Sequence, residues 1–431
     1  MRNLTAVALL FVVGLLTTGR LSFAEDKPLV EKAIVTVQVG DAAPTFKGTD
    51  DRGQAWDSAE HVGTNYTVIY FYPADFTGGC IKQAETFRDT MNQLTEQGVT
   101  VIGVSGDVVK SHQLFKESWS LNYTLLADEE GDIAKTFGVP VSKGGKVVAY
   151  GPDRKRLLND QQESVFIERK ATFARWTFLI GPNGKVLYKN TKVVPATDAK
   201  QVLEFIQQDK ASNEISTRGG KLEFEEQNSI RWVVSVDLPG CRFKDEDTLL
   251  LASLPRVRTV LLGGNVKDSG LVFVTALRNL ESLTIDSPHI KGSGLANLAS
   301  LPKLRSLNVE GTNIKDDSLA HLKECQSLKE LNIGSTLVTP RGLKQIAEMT
   351  NLESLNVDYL DGPLTDADAQ QLTALSKLKS LVVSSSKLTD TGLASLKTLA
   401  NLETLDVTST DVTDEGVADF QKALPKVTVI R

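Results

Sequence analysis

Two hydrophobic rhythms divide this chain of 431 residues. In the first half, short apolar runs alternate with stripes of helical spacing; in the second, one unit recurs. Thr67-Val68-Ile69-Tyr70-Phe71 is an unbroken apolar run, as expected of a strand covered on both faces, and predicts a strand over 67–72. Ile81, Ala84, Phe87, Met91 and Leu94 follow at helical spacing and predict a helix that ends by Gly98. Val99 to Val104 is a second buried run, and Ser105-Gly106-Asp107 reads as the cap of a helix reaching about Trp119. Tyr123 to Leu126 predicts a short strand and Ile133 to Phe137 a helix. Arg175 to Ile180 and Lys185 to Tyr188 flank Gly181-Pro182-Asn183-Gly184, whose Asn-Gly step predicts a hairpin. Val202, Leu203 and Ile206 mark a last helix over 198–208. Asp50-Asp51-Arg52-Gly53 reads as a turn in a polar loop, and the Lys/Arg-rich segment 141–171 as a long excursion, a lid or flap. This order of elements predicts an α/β domain around a mixed sheet.

Beyond a polar stretch at 209–221, read as a linker, the pattern becomes periodic. Leu277-Arg-Asn-Leu280-Glu-Ser-Leu283-Thr-Ile285 is matched by Leu301 to Val309 and by Leu399 to Val407. Units start near Ile230, Leu254, Leu277, Leu301, Cys325, Met349, Leu375 and Leu399, mostly 24 residues apart, with two extra residues near Tyr359-Leu360-Asp361-Gly362. Leu-x-x-Leu-x-x-Leu-x-Leu/Val at this period is the signature of a leucine-rich repeat solenoid. The fold class expected is therefore an α/β domain over 25–208, a linker at 209–221 and a repeat solenoid over 222–431.

Charge and composition narrow the partners. The formal net charge of -6 gives no basic footprint for nucleic acid or an anionic membrane. Residues 1–24 read as a secretory signal peptide: Arg2, the apolar stretch Ala6 to Leu16, then Ser22-Phe23-Ala24 before Glu25. Cleavage there removes Arg2 and Arg20 and takes the charge from -6 to -8. The expectation is export to a periplasmic or extracellular location, with no membrane span afterwards. Three cysteines, Cys80, Cys241 and Cys325, do not make a disulfide scaffold. The histidines at 61, 112, 289 and 321 lack ligand spacing, so no metal and no cofactor is expected.

Cys80 follows strand 67–72 and a short loop, and so lands at a helix start. There the first-turn N–H groups and the helix dipole favour a thiolate. Cys325 occupies an apolar repeat position and is expected to be buried and inert. With Thr77 where a disulfide oxidoreductase of the Cys-x-x-Cys type carries its first thiol, ordinary dithiol exchange is excluded.

Pro73, Thr77 and Cys80 form the pattern Pro-x-x-x-Thr-x-x-Cys, and Arg175 opens the later segment Arg175-Trp176-Thr177-Phe178. With Gly40 to Phe46, Val104-Ser105-Gly106-Asp107, Ser111-His112, Phe115 and Leu125 to Asp128, the stretch 38–208 resembles a peroxiredoxin of the bacterioferritin-comigratory, or Q-type, branch of the AhpC/TSA-like group. The resemblance implies a thioredoxin-like fold and a peroxide substrate. It implies Cys80 as peroxidatic thiolate, Thr77 orienting thiolate and peroxide, Arg175 stabilising the charge on sulfur and leaving oxygen, and Pro73 shielding the sulfur. Tyr72 and Phe76 are candidates for the apolar wall of the pocket.

The chain also departs from the family. Many members of this branch carry a resolving cysteine five residues on, where this chain has Glu85. The expected cycle is therefore one-cysteine in type, with an external thiol, from a thioredoxin-like protein or a small molecule, as reductant. Cys241 is the internal candidate for resolution, and a disulfide between the Cys80 residues of two chains is another route. Alternate strand positions of the repeats, Thr259, Leu261, Ser282, Thr284, Ser306, Asn308 and their successors to Asp406, are expected to line a concave face, polar and small, on which a protein ligand is a candidate partner and Tyr359 the most conspicuous anchor. The alternatives to an enzyme are an envelope binding or structural protein, and a peroxide sensor in which oxidation of Cys80 alters contacts with the repeats.

Overall fold

The computed structural model describes residues 36–228, 230–240 and 243–431. The leader with its cleavage site, and Cys241, lie outside the described residues. What is described is an α/β thioredoxin-like domain followed by a repeat-containing C-terminal region. Among the described residues no helix is long and apolar enough to cross a membrane.

The first region runs β1 (Lys47–Asp50), β2 (Ala55–Asp57), α1 (Ser58–His61), β3 (Tyr66–Phe71), α2 (Gly78–Glu96), β4 (Val99–Ser105), α3 (Val109–Trp119), β5 (Thr124–Ala127) and α4 (Asp132–Thr136). It continues through β6 (Val141–Lys143), β7 (Lys146–Val148), β8 (Phe166–Glu168), β9 (Ala171–Phe173), β10 (Trp176–Ile180), β11 (Val186–Asn190) and α5 (Asp198–Thr217). Seven strands form one sheet in the order β11-β10-β3-β4-β5-β1-β2, with β3, β4 and β5 parallel. All residues of β3 are buried because both faces of the sheet are covered. Val68 and Tyr70 pack with Phe87 of α2 and Val202 and Ile206 of α5. Ile69 and Phe71 pack on the other side with Phe137 and Phe178.

Two expectations gain detail, the turn near 50 and the excursion, and two change, the cap of the third helix and the linker. The polar loop near 50 contains the β1–β2 hairpin, whose turn is closed by Asp50: its Oδ1 accepts from the N–H groups of Arg52 (2.9 Å) and Gln54 (2.8 Å). The residue capping α3 is Val108, with no side-chain cap bond, because Asp107 turns inward. The excursion 141–171 is built of antiparallel pairs, β6 with β9 and β7 with β8, extended by bridges Tyr150–Arg156 and Leu158–Ser164. The stretch 209–221 is no flexible linker. Helix α5 continues to Thr217, with Ala211 and Ile215 buried among the repeat residues. Its polar composition served the exposed face of a helix whose other face stays apolar. Gln208 joins the two regions, donating from Nε2 to the Arg231 carbonyl (3.1 Å) and accepting from the Val233 N–H (2.8 Å).

The repeat region adds β12 (Lys221–Gln227), β13 (Ile230–Leu238), β14 (Thr259–Gly263), β15 (Ser282–Asp286), β16 (Ser306–Asn308), β17 (Glu330–Asn332), β18 (Ser354–Asn356), β19 (Ser380–Val382), β20 (Thr404–Asp406) and β21 (Thr428–Ile430). These ten strands neighbour one another in chain order; β12 is antiparallel to β13 and the rest are parallel. Leu283, Leu307, Leu331, Leu355, Leu381 and Leu405 stand in register as one buried ladder. Between repeats, carboxylates reach forward. Asp366 accepts from the N–H (2.8 Å) and hydroxyl (2.7 Å) of Thr389, and Asp390 does the same for Thr413. Such bonds explain the recurring Thr-Asp-x-Gly-Leu type of sequence. A Cβ at Gly416 stands 2.0 Å from Asp390 Oδ1, and the atoms nearest to it all belong to that side chain, so only glycine lets the neighbouring carboxylate in.

Gly416→Ala is therefore expected to cost about 1–3 kcal/mol of stability through this overlap. In an Asp390→Ala background the same substitution is expected to cost clearly less. Denaturant titration of the four proteins of this cycle measures the coupling; equal costs in both backgrounds contradict it.

Candidate active site

Helix α2 begins directly beyond the loop 72–77 that leaves the buried end of β3. Cys80, in its first turn, is 1% exposed. Thr77 stands at the N-cap position, yet its hydroxyl does not cap the helix. Its Oγ1 lies 2.8 Å from Cys80 Sγ and 3.2 Å from the Ala74 carbonyl, so its one proton is offered at the shorter distance to sulfur. Arg175 precedes β10, and the pairing of Trp176 with Phe71 brings it beside the same loop. Its Nη2 donates to Cys80 Sγ at 3.1 Å. Two donors thus converge on one sulfur. A Cβ on Gly79 would lie 3.2 Å from Arg175 Nη2, so the glycine leaves room for the guanidinium. The Cys80 N–H is taken by the Thr77 carbonyl at 2.9 Å. Pro73 lies half-buried in the loop ahead of Thr77.

Two side chains not singled out in the sequence complete the site. Gln83, one helical turn beyond Cys80, accepts from Arg175 Nη1 through Oε1. Its Nε2 donates to Asp198 Oδ2 at 2.7 Å, and Thr177 Oγ1 donates to the same oxygen at 2.7 Å. An ionised carboxylate only accepts, so Asp198 fixes which end of the Gln83 amide faces it and turns the carbonyl end to Arg175. Asp198 is fully buried and its Oδ1 has no partner among the described residues. Burial pushes its carboxyl up to about 6, against the hydrogen bonds of Thr177 and Gln83 and the charge of Arg175. A buried glutamine within the apolar stripe of α2 is the signal in the sequence; its partner lies 115 residues away.

A second buried network anchors the loop from below. Asp75 accepts from Tyr72 (2.9 Å), Ser111 (2.7 Å) and His112 Nδ1 (2.9 Å). His112 Nε2 faces the Leu126 carbonyl at 3.2 Å, so both ring nitrogens meet acceptors, an arrangement that favours the doubly protonated ring. Burial pushes the His112 pKa down, but Asp75 outweighs it and the net shift is upward. Asp107 Oδ2 accepts from the Asp75 N–H (2.9 Å) and Ser105 (2.7 Å), while burial and the neighbouring Asp75 push its carboxyl up to about 6. Phe76, held at φ 58°, packs edge-on to Phe115.

Cys325 is buried in the repeat region, where burial pushes its thiol up to about 11. It belongs to the core of the repeats, whereas Cys80 belongs to a separate core cluster.

The AhpC/TSA family pattern matches residues 39–189, and a leucine-rich-repeat pattern matches 374–397 and 398–420. The chain is 38% identical over 129 residues to a putative peroxiredoxin bcp of Coxiella burnetii, an alignment covering 30% of this chain and 85% of that protein. It is 44% identical over 125 residues to a chloroplastic peroxiredoxin Q of Oryza sativa subsp. japonica, covering 29% of this chain and 55% of that protein. The chain thus spans about half the length of that plant relative. The solved structure of peroxidoxin BcpB from Mycobacterium tuberculosis is 26% identical and covers 40% of this chain and 97% of that one, with a TM-score of 0.32.

Asp198→Ala frees the Gln83 amide to turn and is expected to slow peroxide reduction about tenfold or more. Asp198→Asn keeps an acceptor oxygen for Gln83 and Thr177 and is expected to retain most activity. The folded carboxyl titrates near 6 and the unfolded one near 3.8, so the native state binds more protons between these values. Its contribution to stability therefore falls as pH rises through that window, and Asp198→Asn is expected to stabilise the protein at pH 7 by ~2–3 kcal/mol. Peroxide kinetics and denaturant titration at pH 7 check the pair; equal activity of the Ala and Asn variants contradicts the orienting role.

Proposed function

This chain belongs to the AhpC/TSA family of peroxiredoxins, and from that membership we propose a thiol-dependent peroxidase that reduces hydrogen peroxide or organic hydroperoxides with Cys80 alone. The observation that carries the reading is the convergence of Thr77 and Arg175 on the Cys80 sulfur. The thiolate attacks the terminal peroxide oxygen; the O–O bond breaks, Cys80 becomes a sulfenic acid, and the leaving oxygen departs as water or alcohol after taking a proton. Arg175 is assigned to the charge moving from sulfur to the leaving oxygen, Thr77 to orienting both, and Pro73 to shaping the loop. With Glu85 where many relatives carry the resolving thiol, an external thiol completes the cycle. It condenses with the sulfenic acid, releasing water, and a second thiol frees Cys80 as a disulfide leaves.

The repeat region is assigned the role of a binding or tethering module. Its strand order and periodicity support a solenoid, and the ladder Thr284, Asn308, Asn332, Asn356, Val382 and Asp406 is proposed as part of its concave binding face, with the 63% exposed Tyr359 as anchor. Arg2, the apolar stretch Ala6 to Leu16 and Ser22-Phe23-Ala24 support export to the periplasm or beyond.

Peroxide consumption by the purified protein with dithiothreitol tests the reading. Turnover is expected from the native protein and none from Cys80→Ser. Equal peroxide loss with both, or none with either, overturns it.

A further inference from the structure

Resting on that reading, a cavity beside the site points to the kind of thiol that completes the cycle. The side of α2 where many relatives hold the resolving thiol carries Lys82 and Glu85, and it forms one wall of a cavity of ≈ 590 Å³. Tyr150 and Arg154, from the antiparallel excursion inserted between α4 and β10, line it as well, with Phe76 and Trp119. The cavity therefore starts on the active-site helix within two residues of Cys80.

Its chemistry selects a charge. Lys82 and Arg154 make no salt bridge and no side-chain hydrogen bond with any described residue. Against them stands one carboxylate, Glu85, leaving the cavity one positive charge in excess. Arg154 is held at φ 62°, a left-handed conformation that a non-glycine residue adopts at a cost. That strained turn is closed by the Arg154 N–H on the Gly151 carbonyl at 2.9 Å, and it fixes the guanidinium's attachment at the cavity wall. The volume is far larger than a peroxide needs and is of the size that small organic ligands occupy.

We propose that this cavity is the binding site of the reductant, a low-molecular-weight thiol bearing a carboxylate. Lys82 and Arg154 pair with the carboxylate, and the aromatic rings of Tyr150 and Trp119 cover the carbon skeleton. Cys80 is 1% exposed, so the thiol meets the sulfenic sulfur when the first turn of α2 opens. That turn contains Gly78-Gly79 and has no side-chain cap, which makes opening cheap. The thiol sulfur then bonds to Cys80 Sγ, the sulfenic oxygen leaves as water, and a second molecule of the same thiol releases Cys80 by forming the small disulfide. The reductant is oxidised by two electrons in all, and the sulfenic sulfur is reduced by two.

The experiment starts from sulfenic acid formed on Cys80 with one equivalent of hydrogen peroxide and verified by mass spectrometry. N-acetylcysteine and its methyl ester, which lacks the carboxylate, are then mixed with it in stopped flow. The ratio of the two rates is compared between the native protein and Lys82→Ala/Arg154→Ala, so that the intrinsic reactivities of the thiols cancel. The ratio is expected to fall about three- to tenfold in the double variant. Arg154→Glu, tested separately, is expected to lower it as well. An unchanged ratio in both variants overturns the assignment. Absence of sulfenic acid before any thiol is added is read separately; it overturns the peroxidase reading, and this inference with it.

Discussion

Everything in the first half of the chain serves the meeting of two donors with one buried sulfur. Thr77 Oγ1 and Arg175 Nη2 come from parts of the sequence far apart, yet lie 2.8 and 3.1 Å from Cys80 Sγ. Three structural conditions make this contact. The buried strand β3 must end where α2 begins, β10 must pair antiparallel with β3 so that Arg175 arrives at that end, and Gly79 must leave space for the guanidinium. At the buried sulfur, a charged and a hydroxyl donor take the place of the water that burial removes.

The arrangement costs stability. Asp198 is buried with one oxygen unpaired among the described residues, and so is Asp107. Buried polar groups left unsatisfied cost about 1–3 kcal/mol each. Both lie in networks that hold the active-site loop or its arginine, and neither contributes to the apolar core. The repeats show the opposite economy. Their leucine ladder buries apolar surface continuously, and carboxylates such as Asp366 and Asp390 are matched by a threonine of the next unit. Helix α5 joins the two regimes, with Asp198 at its start in the site and Ile215 near its end among the repeats.

Much of this was legible along the chain because it is local. A run such as Thr67 to Phe71 has to be a buried strand, and a thiol four residues past its loop-forming Phe76 falls on a helix start. The leucine period is local too, since each unit repeats its own pattern. What escaped depends on distance or on direction. The partnership of Gln83 with Asp198 spans 115 residues, and nothing near either residue announces it. Asp107 has the composition of a helix cap, but the burial of Asp75 turns it inward to accept that residue's N–H. The polar stretch 209–221 looked like a connector because the buried Ala211 and Ile215 are only two residues among many hydrophilic ones. The excursion at 141–171 was visible as an insertion, whereas its place against α2 emerged only from the folded arrangement.

The central claim is that the reactivity of Cys80 is created by the donors aimed at its sulfur. Its direct test is the second-order rate of Cys80 oxidation by hydrogen peroxide, followed by stopped flow in a single turnover without reductant. The native protein is compared with Arg175→Met, which keeps the bulk of the side chain and removes the charge. Loss of one such donor is expected to slow oxidation roughly 10²-fold or more. Oxidation of the variant at the native rate would contradict the account, because the sulfur would then owe nothing to the geometry built around it.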